Sequence, residues 1–166
     1  MTKLFWKAVL AFLALPGIIA FAVPLLLIKG NLHEISAGVV GLIPLAAGIV
    51  LLLLCVREFY VAGRGTLAPW APPKDLVVTG VYRYSRNPMY IAVVLVLIGW
   101  AAVFHSWVLA IYALAVCAGF HLRVVLGEEP WLARTFGEKW TCYKTQVPRW
   151  FGFRKFAQEM RRRASH

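Results

Sequence analysis

The stretch GVYRYSRNPMYIAVVLVLIGW, residues 80–100, runs from a polar turn directly into an apolar helix. Its first half carries Tyr82, Arg83, Tyr84, Arg86 and Asn87; from Ile91 onward it is almost wholly aliphatic. Pro88 suits the first helical turn, where a missing N–H costs nothing. Tyrosine and arginine favour the membrane–water boundary, so anchoring explains part of the polar half. It does not explain an amide, Asn87, and a phenol, Tyr90, at the start of the apolar run. A helix that begins this way predicts a membrane span with a functional mouth.

The rest of the chain has the same character. Hydrophobic residues make up 61% of the 166, and charged residues 15%, where about 25% is usual for a soluble domain. The mean hydropathy is +0.71. The apolar residues fall into blocks long enough to cross a bilayer. They predict spans at about residues 4–28, 36–56, 88–104 and 107–126, within one integral membrane domain covering residues 1–166. The fold class expected is all-α: a polytopic membrane helical bundle of about four transmembrane helices plus a C-terminal amphipathic helical segment. A polar, proline-rich connector occupies 57–87. From 127 to 166 the chain is basic, with Trp131, Phe136, Trp140, Tyr143 and Trp150 interleaved, which suits a helix lying on the membrane surface. Lys3 and Lys7 precede an apolar stretch as in a signal peptide, but that stretch is long and lacks a small-residue cleavage site, so a retained span is expected.

Local signals refine the spans. Pro16-Gly17 and Pro24 interrupt the first, which a membrane tolerates when neighbouring groups satisfy the freed carbonyls. Gly38, Gly41, Ala46, Ala47 and Gly48 give the second a small-residue surface for close packing. His105-Ser106 leaves room only for a tight helical hairpin between the third and fourth.

The formal charge of +11 excludes little by itself, but no nucleic-acid recognition module accompanies it, so no nucleic-acid partner is expected. Its distribution says more. The 57–87 connector holds five Lys or Arg and the segment after 127 holds nine, against Lys29 alone in the 29–35 loop and none at 105–106. The positive-inside rule then places both termini and the connector in the cytosol, in a cytoplasmic membrane of bacterial or archaeal type. Cys55, Cys117 and Cys142 form neither a zinc spacing nor a disulfide framework, and His105 and His121 stand sixteen residues apart; no metal site is expected.

Two constellations are left to carry chemistry. One is the turn at 80–90. The other is Glu128-Glu129 with Arg123 five residues earlier. Adjacent carboxylates at the end of an apolar helix are either solvated interfacial acids or the ligands of a cation or amine. An arginine within a largely apolar segment is costly unless it is paired or lines a cavity, so Arg123 is a candidate on physical grounds.

Taken in order, Arg86-Asn87-Pro88-Met89-Tyr90, Glu128-Glu129-Pro130-Trp131-Leu132, Gly137 to Tyr143 and Val147-Pro148 resemble the isoprenylcysteine carboxyl methyltransferase and phospholipid methyltransferase group of integral membrane enzymes. The resemblance covers about residues 76–150; the first two spans match only in being apolar. It implies S-adenosyl-L-methionine as cofactor, with Asn87, Pro88, Met89, Tyr90, Trp100 and Glu128 in its pocket. Arg123 and Glu129 are expected on the catalytic side, with Arg123 facing a lipid-like or prenylated acceptor supplied by the bilayer. There are two departures. Asn87 stands where the group has histidine and cannot titrate near neutrality. The group's substrate arginine falls four residues before the first glutamate, at Val124 here, with Arg123 one step away and about 100° round a helix. The resemblance extends to NADPH-dependent membrane sterol reductases, and a non-catalytic membrane scaffold is the third possibility.

Overall fold

The computed structural model describes residues 13–29, 38–61 and 75–151, and among these every regular element is helical. The expectations that fall on Lys3 and Lys7, on most of the 29–35 loop, on the proline-rich part of the connector at 62–74 and on residues 152–166 lie outside the described residues. The α-helices are α1 (Val23–Lys29), α2 (Leu42–Val61), α3 (Pro88–Val103), α4 (Trp107–Arg123), α5 (Glu129–Phe136) and α6 (Glu138–Gln146). A π-helical segment, Leu13–Ala22, runs into α1, and a second, Val124–Glu128, joins α4 to α5.

Pro24 explains how the first segment is held. Lacking an N–H, it can close on neither the Ala20 carbonyl four residues back nor the Ile19 carbonyl five back. Two side chains from other helices take its place. The Trp100 indole N–H donates to the Ala20 carbonyl at 3.0 Å, and the Tyr112 hydroxyl donates to that of Ile19 at 3.2 Å. The proline break thus ties its segment to α3 and α4.

Small residues set the central contact, between α2 and α3. A Cβ added to Gly48 would lie 2.7 Å from the Val96 nitrogen, and one on Gly99 would lie 2.6 Å from the Leu45 Cα. Gly38 and Gly41 press on residues 102 and 103 in the same way, whereas Ala46 and Ala47 face outward. α3 is the hub: Ala92, Val93, Val96 and Leu97 are buried against Ala20, Leu52 and Ala113. Outside, Leu42, Ile43, Val50 and Leu53 of α2 and Ile111, Leu114 and Leu122 of α4 are exposed. An apolar exterior of this extent suits lipid.

The helical runs Val39–Glu58 and Trp107–Phe136 are long and apolar enough to cross a membrane; Pro16–Ile28 and Pro88–Val103 are apolar but shorter. The hairpin between α3 and α4 turns at His105, whose φ is +46°, and Ser106 caps α4 by accepting the Leu109 N–H at 3.4 Å. Beyond α4 the C-terminal segment is two short helices, broken at Gly137 where φ is +51°. In the connector, a 3-10 turn at Gly80–Arg83 follows Thr79, whose hydroxyl donates to Glu58 at the end of α2 at 2.8 Å.

Candidate functional site

The polar turn before α3 is fastened to the chain's C-terminal segment. The Arg86 N–H donates to the Pro148 carbonyl at 2.9 Å. The Asn87 side-chain amide and the Ser85 hydroxyl both donate to the Arg149 carbonyl, at 3.1 and 3.2 Å. Ser85 also accepts the Asn87 N–H at 3.1 Å, which shapes the entry to the helix. Deeper in, the Tyr143 hydroxyl donates to the Tyr82 carbonyl at 2.7 Å. Two polar stretches some sixty residues apart are thereby closed against one another.

The two carboxylates of the Glu128-Glu129 pair then part company. Glu129 points into this seam. The Arg86 guanidinium donates to it at 2.7 Å, and Arg149 grips both its oxygens at 2.8 Å. The Glu129 and Arg86 side chains are buried, with Arg149 about one-third exposed. Hydrogen bonding from Arg149, then the charge of Arg86, outweigh burial and hold the Glu129 carboxyl below its ordinary 4.5. Burial lowers the pKa of Arg86, with Glu129 opposing it. Among the described residues the Arg86 Nε has no hydrogen-bond partner, but its guanidinium lies over the Trp140 ring, 5.4 Å from the centroid.

Glu128 points the other way, to the rim of α3 and α4. It accepts from the Tyr90 hydroxyl and from the Arg123 Nε, the latter at 2.9 Å; Arg123 also donates to the Tyr90 oxygen at 3.2 Å. Tyr90 stacks on Phe120 with centroids 4.3 Å apart. This group is open: the Arg123 side chain is 56% exposed and that of Glu128 32%. In a plain α-helix, residues five apart point about 140° away from each other. The π turn Val124–Glu128 lies between these two and absorbs one extra residue, so Arg123 and Glu128 meet. Val124 is fully buried, while Arg123 reaches the Glu128 carboxylate. Single π turns inside α-helices recur at functional sites.

Tyr90, Arg123 and Glu128 thus meet on one side, and Arg86 and Glu129 on the other, joined to Asn87 through Arg149, with Pro88 and Met89 in the first turn of α3. Trp100 is not brought to either cluster. It sits ten residues from Tyr90, about 15 Å along α3, with its indole N–H given to Ala20. Ser85 and Phe120 escape the sequence reading, and Arg149 stands in the Val147-Pro148-Arg149 stretch without a role. A buried glutamate demands counter-charges, and Val147-Pro148-Arg149 supplied the candidate. Among the described residues no three His, Cys, Asp or Glu side chains could hold a metal ion.

The sequence matches the phospholipid methyltransferase family over residues 37–139, more than half of the chain. The match starts earlier than the resemblance drawn from the motifs, taking in α2, and stops before the Val147–Arg149 segment. No curated protein and no solved structure matches the chain.

Proposed function

The chain belongs to the phospholipid methyltransferase family, and from that premise we propose that it is an integral membrane methyltransferase using S-adenosylmethionine on a lipid-like acceptor. The observation that carries this reading is Glu128, a partly exposed carboxylate oriented by Tyr90 and Arg123 beside the Tyr90–Phe120 aromatic pair. S-adenosylmethionine bears a sulfonium and an ammonium and supplies, when bound, an electrophilic methyl group. Carboxylates and aromatic faces favour such cations, so the residues present fit it. Asn87, Pro88, Met89 and Tyr90 would line its pocket and Glu128 would hold its cationic part. Trp100 is left with a packing role.

Methyl transfer is an in-line displacement, and the work of the chain's own residues is alignment and exclusion of water. Arg123 commits its Nε to Glu128 and Tyr90, leaving its terminal amino groups for an acidic group on the acceptor. Glu129, paired with two arginines, enters as a positioning residue: it fixes the end of the π turn and with it the direction of Glu128. Asn87 works as a hydrogen-bond donor and takes no proton from the acceptor. The Lys and Arg excess at 57–87 and beyond 127 opens this site to the cytosolic leaflet, with both termini cytosolic.

Calorimetry with S-adenosylhomocysteine tests the reading. Tyr90→Ala and Glu128→Ala should each weaken binding by about 1.5–3 kcal/mol, the scale of a charge-assisted hydrogen bond. Lipid extracts incubated with protein and S-adenosylmethionine should yield a species heavier by one methylene. Binding of NADPH in place of S-adenosylhomocysteine would substitute the reductase reading, and binding of neither would leave a scaffold.

A further inference from the structure

Arg149 lies beyond the residues that match the family, yet it touches both halves of the site. Its guanidinium closes on Glu129 through two parallel hydrogen bonds of 2.8 Å, a planar fork that fixes orientation as well as distance. Its own carbonyl receives the Asn87 amide and the Ser85 hydroxyl. One residue therefore clamps the entry of α3 to the start of α5. Tyr90 stands one turn into α3 from Asn87, and Glu128 immediately precedes Glu129. The two groups that meet at the rim are thus set by a clamp on the opposite side of the seam.

We infer that Arg149 is a positioning residue for the methyl transfer: it holds the first turn of α3 against the π turn so that Tyr90 and Glu128 form a ready-made cofactor rim. This rests on the methyltransferase reading above. It contacts neither Tyr90 nor Glu128, so its effect passes through Glu129 and Asn87. Nor is it part of the bundle's packing. The core of α2, α3 and α4 is made of other residues, and the same C-terminal segment has a second tether, the Trp150 indole N–H donating to His121 Nδ1 at 3.3 Å. Loss of the fork should therefore leave the helices assembled and loosen the rim. A binding-competent state that is populated only part of the time lowers apparent affinity in proportion.

The test uses the purified full-length chain and its Arg149→Gln and Arg149→Lys variants, with exposed Arg134→Gln as a charge-matched control. Two measurements are made: amide hydrogen exchange without ligand, and S-adenosylhomocysteine binding by calorimetry. Arg149→Gln is expected to speed exchange in residues 85–90 and 126–132 together and to cut affinity about tenfold or more. KM for S-adenosylmethionine should rise while kcat at saturating cofactor is retained. Arg149→Lys, keeping the charge but losing the fork, should fall between, and Arg134→Gln should match the parent. Adding Glu129→Gln to Arg149→Gln should cost less affinity than Glu129→Gln costs the parent, because both break one fork. Faster exchange with unchanged affinity and KM would reduce Arg149 to a staple and overturn the inference while the methyltransferase stands. Unchanged exchange would remove the clamp itself. Failure of the parent protein to bind S-adenosylhomocysteine would bring down the methyltransferase reading and this inference with it.

Discussion

Glu129→Ala is expected to damage the fold far more than Glu128→Ala, although the two acids are neighbours in sequence. Removing one partner of a buried ion pair costs about 3–5 kcal/mol, because the abandoned charge keeps its desolvation penalty. Arg86 is the charge abandoned here: its side chain is 8% exposed, and among the described residues its Nε already lacks a partner and the Trp140 face is what remains to it. Arg149, 32% exposed, can turn toward water and adds little. The low end, about 3 kcal/mol, is therefore the better expectation, a fall in melting temperature on the order of 10 °C. Arg123, which would lose Glu128, is 56% exposed, and an ion pair of that kind is worth about 0–1 kcal/mol. Arg86→Met combined with Glu129→Met should recover most of the loss, since apolar residues of similar volume can replace a buried pair without penalty. Thermal unfolding of the four proteins in one detergent, followed by tryptophan fluorescence, decides it. Equal melting of Glu129→Ala and Glu128→Ala, or no rescue in the double variant, would refute the assignment of the two carboxylates to different jobs.

Three other outcomes are expected. Arg123→Leu should keep its fold and most of its cofactor affinity while methyl transfer collapses; normal turnover would return Arg123 to an interfacial arginine with its stem along lipid. Deleting Gly127 should convert the π turn to α-helix and leave Arg123 and Glu128 four residues apart, where an α-helix brings them together; S-adenosylhomocysteine affinity should survive, and its loss would refute the role given to the π turn. The Glu129 carboxyl, held below 4.5 by Arg149 and Arg86, contributes stability in full above about pH 4.5 that is lost as pH falls through its lowered pKa. Melting temperatures should therefore be level from pH 7 to 5 and drop below about 4.5, with the drop smaller in Glu129→Gln.

The helix starts at Pro88 and Trp107 are legible in the sequence because each rests on a local device, a proline in a first turn and a serine cap after a two-residue break. The winding of Leu13–Ala22 is not. It depends on Trp100 and Tyr112, eighty or more residues away, meeting the carbonyls that Pro24 frees. The same long-range fact accounts for Trp100, which motif order alone draws toward the cofactor. Of the small residues in the second span, composition names the right class but not the face: Gly48 meets Val96, while Ala46 and Ala47 look outward. In the candidate site, the meeting of Tyr90 with Glu128 is legible from the motifs in their order. Which glutamate is buried is not, because it turns on Arg149 folding back across the seam and on one extra residue wound into the helix after Arg123.

α3 spans sixteen residues, about 24 Å, against a hydrocarbon core of about 30 Å. A bilayer meets so short a helix by thinning beside it or by letting polar flanks reach inward. The flank at the start of α3 is the seam of Arg86 and Asn87, with Tyr90 and Arg123 just beyond. Under the proposed function, the mismatch brings lipid headgroups down to the candidate rim, and a lipid can present its polar end there without being lifted from its leaflet. On that reading, acceptor delivery is a mechanical property of the membrane. Turnover in vesicles should fall as acyl chains lengthen, at unchanged affinity for the soluble cofactor.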